Sequence, residues 1–107
     1  MSFKLIVNQS AENDIVEVVW WYEKRVQRLG HKFLNSIGTA FESITNNPKS
    51  FPVVHRDIRR ALTNKFPYGI YFVVEGASVF VLAVIHSKRD PKYHLKRTSG
   101  SDRPTGN

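Results

Sequence analysis

The stretch Phe66-Pro67-Tyr68-Gly69-Ile70-Tyr71-Phe72-Val73-Val74-Glu75-Gly76 runs on through Ser78 to Ala83-Val84-Ile85-His86-Ser87-Lys88-Arg89-Asp90-Pro91. Two runs of β-branched and aromatic residues flank a turn centred on Gly76, the pattern of an antiparallel hairpin. Residues 79–85 are apolar at every position, which suits a central strand covered on both faces. That strand then breaks into His-Ser-Lys-Arg-Asp-Pro. An imidazole and two cations are thereby delivered to one edge of a sheet, where a rigid strand end holds polar groups well enough to bind or cleave a phosphodiester.

Outward from the hairpin, residues 57–62 read as a further strand, and residues 50–54, short and broken by Pro52, as a connector. Upstream the period changes from two to 3.6. Phe33, Leu34, Ile37, Ala40, Phe41 and Ile44 form the apolar stripe of a helix over residues 31–46, stopped by Asn46-Asn47-Pro48. Ile15, Val18, Val19, Tyr22, Val26 and Leu29 mark an earlier helix with Ser10 as N-cap, Glu12 and Asp14 in its first turn and Gly30 as C-cap. Residues 3–7 read as a first short strand. The expected fold is α+β: an N-terminal strand, an antiparallel helical hairpin, then three antiparallel strands (βααβββ), with the helices on one face of the sheet. Its expected core includes Tyr22, Val26, Phe33, Ile37, Phe41, Val81 and Ala83 or Val84. The other face, with Tyr71 and Phe72 as candidates, needs the C-terminal segment or a partner to cover it. Residues 1–97 form the expected domain, and the polar residues 98–107 an expected disordered tail.

The chain carries a net charge of +7, and its distribution is uneven. Residues 1–48 hold five Lys/Arg against five Asp/Glu, whereas residues 49–107 hold eleven against four, so the whole excess sits in the second half. Such a field favours a polyanion or an acidic protein partner, and it also keeps a small protein in solution. There is no cysteine, which excludes disulfides and thiolate metal sites. No apolar run approaches the ~20 residues of a membrane span. A cytoplasmic location is expected.

The order of strand, helical hairpin and three strands resembles the RelE/ParE superfamily of bacterial toxins, the toxic halves of type II toxin–antitoxin modules, also called plasmid stabilisation proteins. So do Asn47-Pro48, Phe51-Pro52, Arg59-Arg60, the Phe66-Pro67-Tyr68 approach to an aromatic strand and the His86-x-x-Arg89-Asp90-Pro91 ending. The likeness covers residues 3–97. It implies growth inhibition, neutralised by a cognate acidic antitoxin, in a dimer or a toxin–antitoxin hetero-oligomer. Two modes of action follow from it: ParE-like poisoning of DNA gyrase, which is favoured, or RelE-like endonucleolytic cleavage of mRNA on the ribosome. A non-toxic basic nucleic-acid-binding domain is the remaining alternative.

RNA cleavage through a 2′-hydroxyl needs a base, an acid and cations around the phosphate. No metal or other cofactor is expected, since His31, His55, His86 and His94 show no ligand spacing. His86 is the candidate acid or base, because histidine titrates near neutral pH. Arg59 and Arg60 are adjacent in a strand and therefore face opposite sides. The resemblance implies a cationic role for Arg89 or Lys88, a phosphate contact at Arg59 where RelE-like nucleases place a lysine, and Tyr93 in place of a late tyrosine. It also marks a departure, since those nucleases carry an arginine where this chain has Tyr68. That departure favours the gyrase mode, in which the basic surface of Arg89, Lys92, Lys96 and Arg97 carries the toxicity. For target or antitoxin contact, Arg56, Arg60, Lys65, Tyr68, Tyr71, Lys88, Lys92, Tyr93, Lys96, Arg97 and Trp20 are the further candidates. On a wheel of 100° per residue, Trp20 falls roughly 150° from the apolar stripe and suits a contact or a cap from the tail.

Overall fold

The computed structural model describes residues 3–89. In chain order these form β1 (Lys4–Val7), α1 (Gln9–Arg25), α2 (Leu29–Asn46), a 3-10 turn (Pro48–Ser50), β2 (Val53–His55), β3 (Ile58–Leu62), β4 (Tyr68–Glu75) and β5 (Ser78–His86). The five strands make one sheet in the order β1-β5-β4-β3-β2. The α+β reading holds, with two changes. The sheet is mixed, because β1 lies parallel to β5 in the register Leu5↔Val79 and Val7↔Val81. Parallel neighbours need a long crossover, which the helical hairpin supplies. The expected connector also contains β2, where Val53 pairs with Arg59 beyond Pro52; the proline sits just outside the strand, and its carbonyl accepts from Arg60 N–H at 3.1 Å. Proline is tolerated at such an edge because only its missing donor is at stake.

The β4–β5 hairpin is as expected. Glu75 faces Ser78 across a two-residue turn whose Gly76 has φ 61°, a conformation that glycine adopts without cost. Its ladder is bulged: Tyr71 opposes Ala83 but Phe72 opposes Val81, so Leu82 is the extra residue. Alternation along the strands sorts the apolar residues onto two faces. Ile70, Phe72, Val79, Val81 and Val84 join the helical residues Ala11, Ile15, Phe33, Ile37 and Ile44 in one buried cluster. Tyr71, Val73, Phe80, Leu82, Ala83 and Ile85 form a second with Ile58, and no helical residue among those described belongs to it. Phe72 therefore lies on the helical side and Tyr71 on the opposite one, where both had been candidates for the uncovered face.

Four local expectations are corrected at the helices. Asn8, not Ser10, is the N-cap of α1, its side-chain oxygen accepting from Ala11 N–H at 3.0 Å. Helix α1 ends at Arg25, and Val26 is extended (φ −142°, ψ 124°) and 57% exposed; the helical period does not continue through it, so it leaves the core. Gly30 is not a C-cap but lies in the first turn of α2, where a Cβ would come within 2.4 Å of the Val19 carbonyl oxygen. The glycine allows the two helices to approach. Phe41 is only half-buried against the core. No described helix is long and apolar enough to cross a membrane.

Candidate functional site

His86 is the last residue of β5 and pairs with Tyr68, the first of β4. The rings meet edge to face, 5.1 Å apart at 76°. Beyond His86 the chain is held by Ser87 N–H donating to the Pro67 carbonyl at 2.8 Å and Arg89 N–H donating to the His86 carbonyl at 3.0 Å. Lys88 N–H donates to His86 Nδ1 at 3.1 Å, which leaves the ring proton of the neutral imidazole on Nε2. The strand end therefore fixes the imidazole from the backbone and presents its other nitrogen as a donor.

Tyr68 sits in an aromatic box. Phe33 lies 5.2 Å and Tyr22 6.4 Å from its ring, and Phe66 packs on both of those at 5.3 and 5.1 Å. Burial raises the Tyr68 pKa above its usual value, assisted by the neighbouring, hydrogen-bonded Tyr22 and opposed by the Arg89 charge. The loop before it is tied down from two sides, by Thr63 Oγ1 donating to the Phe66 carbonyl at 2.7 Å and Ser36 Oγ to that of Asn64 at 2.7 Å. Together these place Tyr68, His86 and Arg89 around a cavity of about 530 Å³ against α1. Helix α1 adds Asp14, Glu17 and Trp21 to its walls, of which the sequence had offered Asp14 only as a first-turn carboxylate. Their signal was available: positions 14, 17, 18 and 21 follow helical spacing beside the core stripe.

The remaining candidates scatter. Arg59 is on the helical side, opposite Phe72, and its Nη1 donates to the carbonyls of Phe51 at 2.7 Å and Lys49 at 3.3 Å. Phe72 and Tyr68 are four residues apart on β4, so Arg59 lies roughly 13 Å along the sheet from the level of His86. His86 and Arg89 come together; Arg59 is separate from them. Arg60 takes the other face, as alternation requires, lying over Gly69 beside Tyr71, and its buried Nε has no hydrogen-bond partner. Arg56 and Lys65 occupy turns with φ of 54° and 72°, and both are exposed, as is Lys88. Tyr71 is 2% exposed, whereas Trp20 is 60% exposed on α1. Lys92, Tyr93, Lys96, Arg97 and the 98–107 tail lie outside the described residues. Among those described, no group of three His, Asp or Glu side chains is placed to hold a metal.

A model of the family described as ParE toxin of type II toxin–antitoxin system, parDE, matches residues 5–91. No curated protein sequence matches the chain. Among solved structures, a chromosomal ParDE toxin–antitoxin system from P. aeruginosa is similar with a TM-score of 0.73 and 14% identity, over 81% of this chain and 98% of that one. A free-state mutant of the E. coli toxin RelE is similar with a TM-score of 0.58 and 14% identity, over 91% of this chain and 98% of that one. At that identity the structural likeness carries the fold alone.

Proposed function

The chain belongs to the ParE toxin family of type II toxin–antitoxin systems, and from that premise we propose that it is a growth-inhibiting toxin, neutralised by a cognate acidic antitoxin, that acts in the cytoplasm by poisoning DNA gyrase. The observation that carries the choice of target is the use made of the would-be nuclease positions. Tyr68 stands where the RelE-like nucleases have an arginine, and its ring is packed among Tyr22, Phe33 and His86. Arg59, the other phosphate contact such a nuclease would need, spends its Nη1 on two backbone carbonyls. Hydrolysis or transesterification of RNA concentrates two negative charges on the phosphate, and cations that are apart do not stabilise them.

One observation favours the second reading, ribosome-dependent mRNA cleavage: His86 and Arg89 share a cavity, and the imidazole offers an Nε2 proton. Tightly controlled expression separates the two. Poisoned gyrase induces the DNA-damage response with mRNA intact, and His86→Ala keeps toxicity. If instead mRNA is cut and His86→Ala abolishes the cutting, by the ~10²–10⁴-fold that loss of a general acid or base costs, the nuclease reading replaces the gyrase one.

A further inference from the structure

The cavity between α1 and the strand ends is lined by both charged and aromatic side chains. Its volume of about 530 Å³ falls within the roughly 300–1,000 Å³ of small-molecule sites. Its lining carries both signs: Asp14 and Glu17 line it from α1, His86 and Arg89 from the end of β5. Aromatic rings, among them Trp21 and Tyr68, line it as well.

Trp21 is half-exposed yet held in place. The Arg25 guanidinium stacks 3.6 Å over its ring, Arg25 Nη1 donates to the Trp21 carbonyl at 3.1 Å, and Tyr22 meets the indole edge to face at 5.1 Å. A cation already occupies one face of the indole. A second cation on the opposite face would meet the fields of both Arg25 and Arg89, whereas a neutral planar ring would not. A nucleobase, which has a π-face whatever its identity, stacks on such an aromatic side chain.

The carboxylates then select among planar rings. Carboxylates are acceptors only, so the complementary base edge is one that presents several N–H groups together. Guanine presents N1–H beside N2–H₂, whereas uracil presents a single N–H and cytosine and adenine an amino group beside an acceptor. Asp14 is anchored, since its Oδ2 accepts from Val84 N–H at 3.0 Å just past the β-bulge. Glu17, one turn further along α1 and exposed, is the side chain free to reach a base edge. Arg89, just beyond the end of β5, matches a phosphate, for which a guanidinium is well suited.

We propose that this cavity is a nucleotide site that takes a guanosine monophosphate, the base stacked on Trp21 and read by Glu17, the phosphate met by Arg89. Binding at this site is measured without reference to the target of the toxin. It is tested by fluorescence with the full chain carrying Trp20→Phe, which leaves Trp21 the sole indole. GMP, AMP, CMP and UMP are titrated in turn, with equilibrium dialysis of GMP against the wild-type chain as a measurement that needs no substitution. GMP should quench saturably and bind about tenfold or more tightly than UMP, equivalent to about 1.4 kcal/mol. Glu17→Gln should remove that preference at unchanged far-ultraviolet circular dichroism, and Arg89→Ala should bring GMP down to the affinity of guanosine. Absence of saturable GMP binding in both measurements, equal affinity for the four nucleotides, or a GMP preference that survives Glu17→Gln would each overturn the assignment. Saturation by free arginine or phenylalanine in place of GMP would overturn it too, and would make the cavity a zwitterion site.

Discussion

At Gly30 a single methyl group decides whether the two helices can meet. A Cβ there would stand 2.4 Å from the Val19 carbonyl oxygen, a backbone atom that no rotamer change can move aside. Gly30→Ala should therefore destabilise the protein by about 1–3 kcal/mol, the range for overpacking. Denaturant unfolding checks this, and a change below about 0.5 kcal/mol would mean that the hairpin opens freely. The same turn is clamped by Glu23, whose carboxylate accepts from the N–H groups of Arg28 at 2.8 Å and Gly30 at 3.0 Å. It thus does for the start of α2 what a capping side chain does, and Glu23→Ala should cost about 1–2 kcal/mol. Tyr68 gives the molecule an alkaline sensitivity. Its folded pKa is raised above the unfolded value of 10.0, so the folded state holds the phenolic proton longer. That stability is fully present below about pH 10 and is lost as the pH rises through the folded value. Thermal midpoints of Tyr68→Phe should therefore fall less steeply above pH 10 than those of the parent. Parallel curves would show that Tyr68 does not carry the effect.

Among the elements, α2 shows the clearest contrast between a buried face and a free one. Phe33 is fully buried and touches both Tyr22 and Tyr68, so Phe33→Ala should cost about 3–5 kcal/mol. Phe41, which the helical period alone placed equally deep, is half-exposed and should cost less. Gly38 lies mid-helix on the outer face, where an added Cβ would meet nothing within 4 Å. Gly38→Ala should stabilise by about 0.5–1 kcal/mol, read as a shift of the unfolding midpoint; a loss would place an unforeseen contact on that face. Strand β5 was legible at its full length because its composition leaves no other reading. Strand β2 was not: three residues beside a proline carry too little pattern to be told from a connector, and only the pairing of Val53 with Arg59 makes them a strand.

Taken as one body, the protein keeps its charge imbalance. All of the +7 lies beyond residue 48, and Arg56, Lys65 and Lys88 are exposed there. If an acidic antitoxin is drawn in by this field, its association rate should fall as salt rises, since exposed charges are screened over about 10 Å at 0.1 M. Stopped-flow association at several ionic strengths measures this, and a rate indifferent to salt would remove charge from the account of recognition.

The chain's own pattern established the α+β class, the two helices, the Gly76 hairpin, the opposite facing of Arg59 and Arg60, and the likeness to the toxin family. These depend on near neighbours: period, turn chemistry and short motifs are properties of a few consecutive residues. Packing alone settled the rest. It made β1 parallel to β5, turned Gly30 from an end cap into a contact point, released Val26 to solvent, parted Arg59 from His86 and closed a cavity between α1 and the end of β5. Each of these joins parts of the chain whose proximity no local rule contains, as in the bond from Val84 to Asp14 across 70 positions. Side chains so far apart meet only after burial of the apolar faces has set the helices on the sheet, and it is that burial, not the local pattern, that chooses their partners.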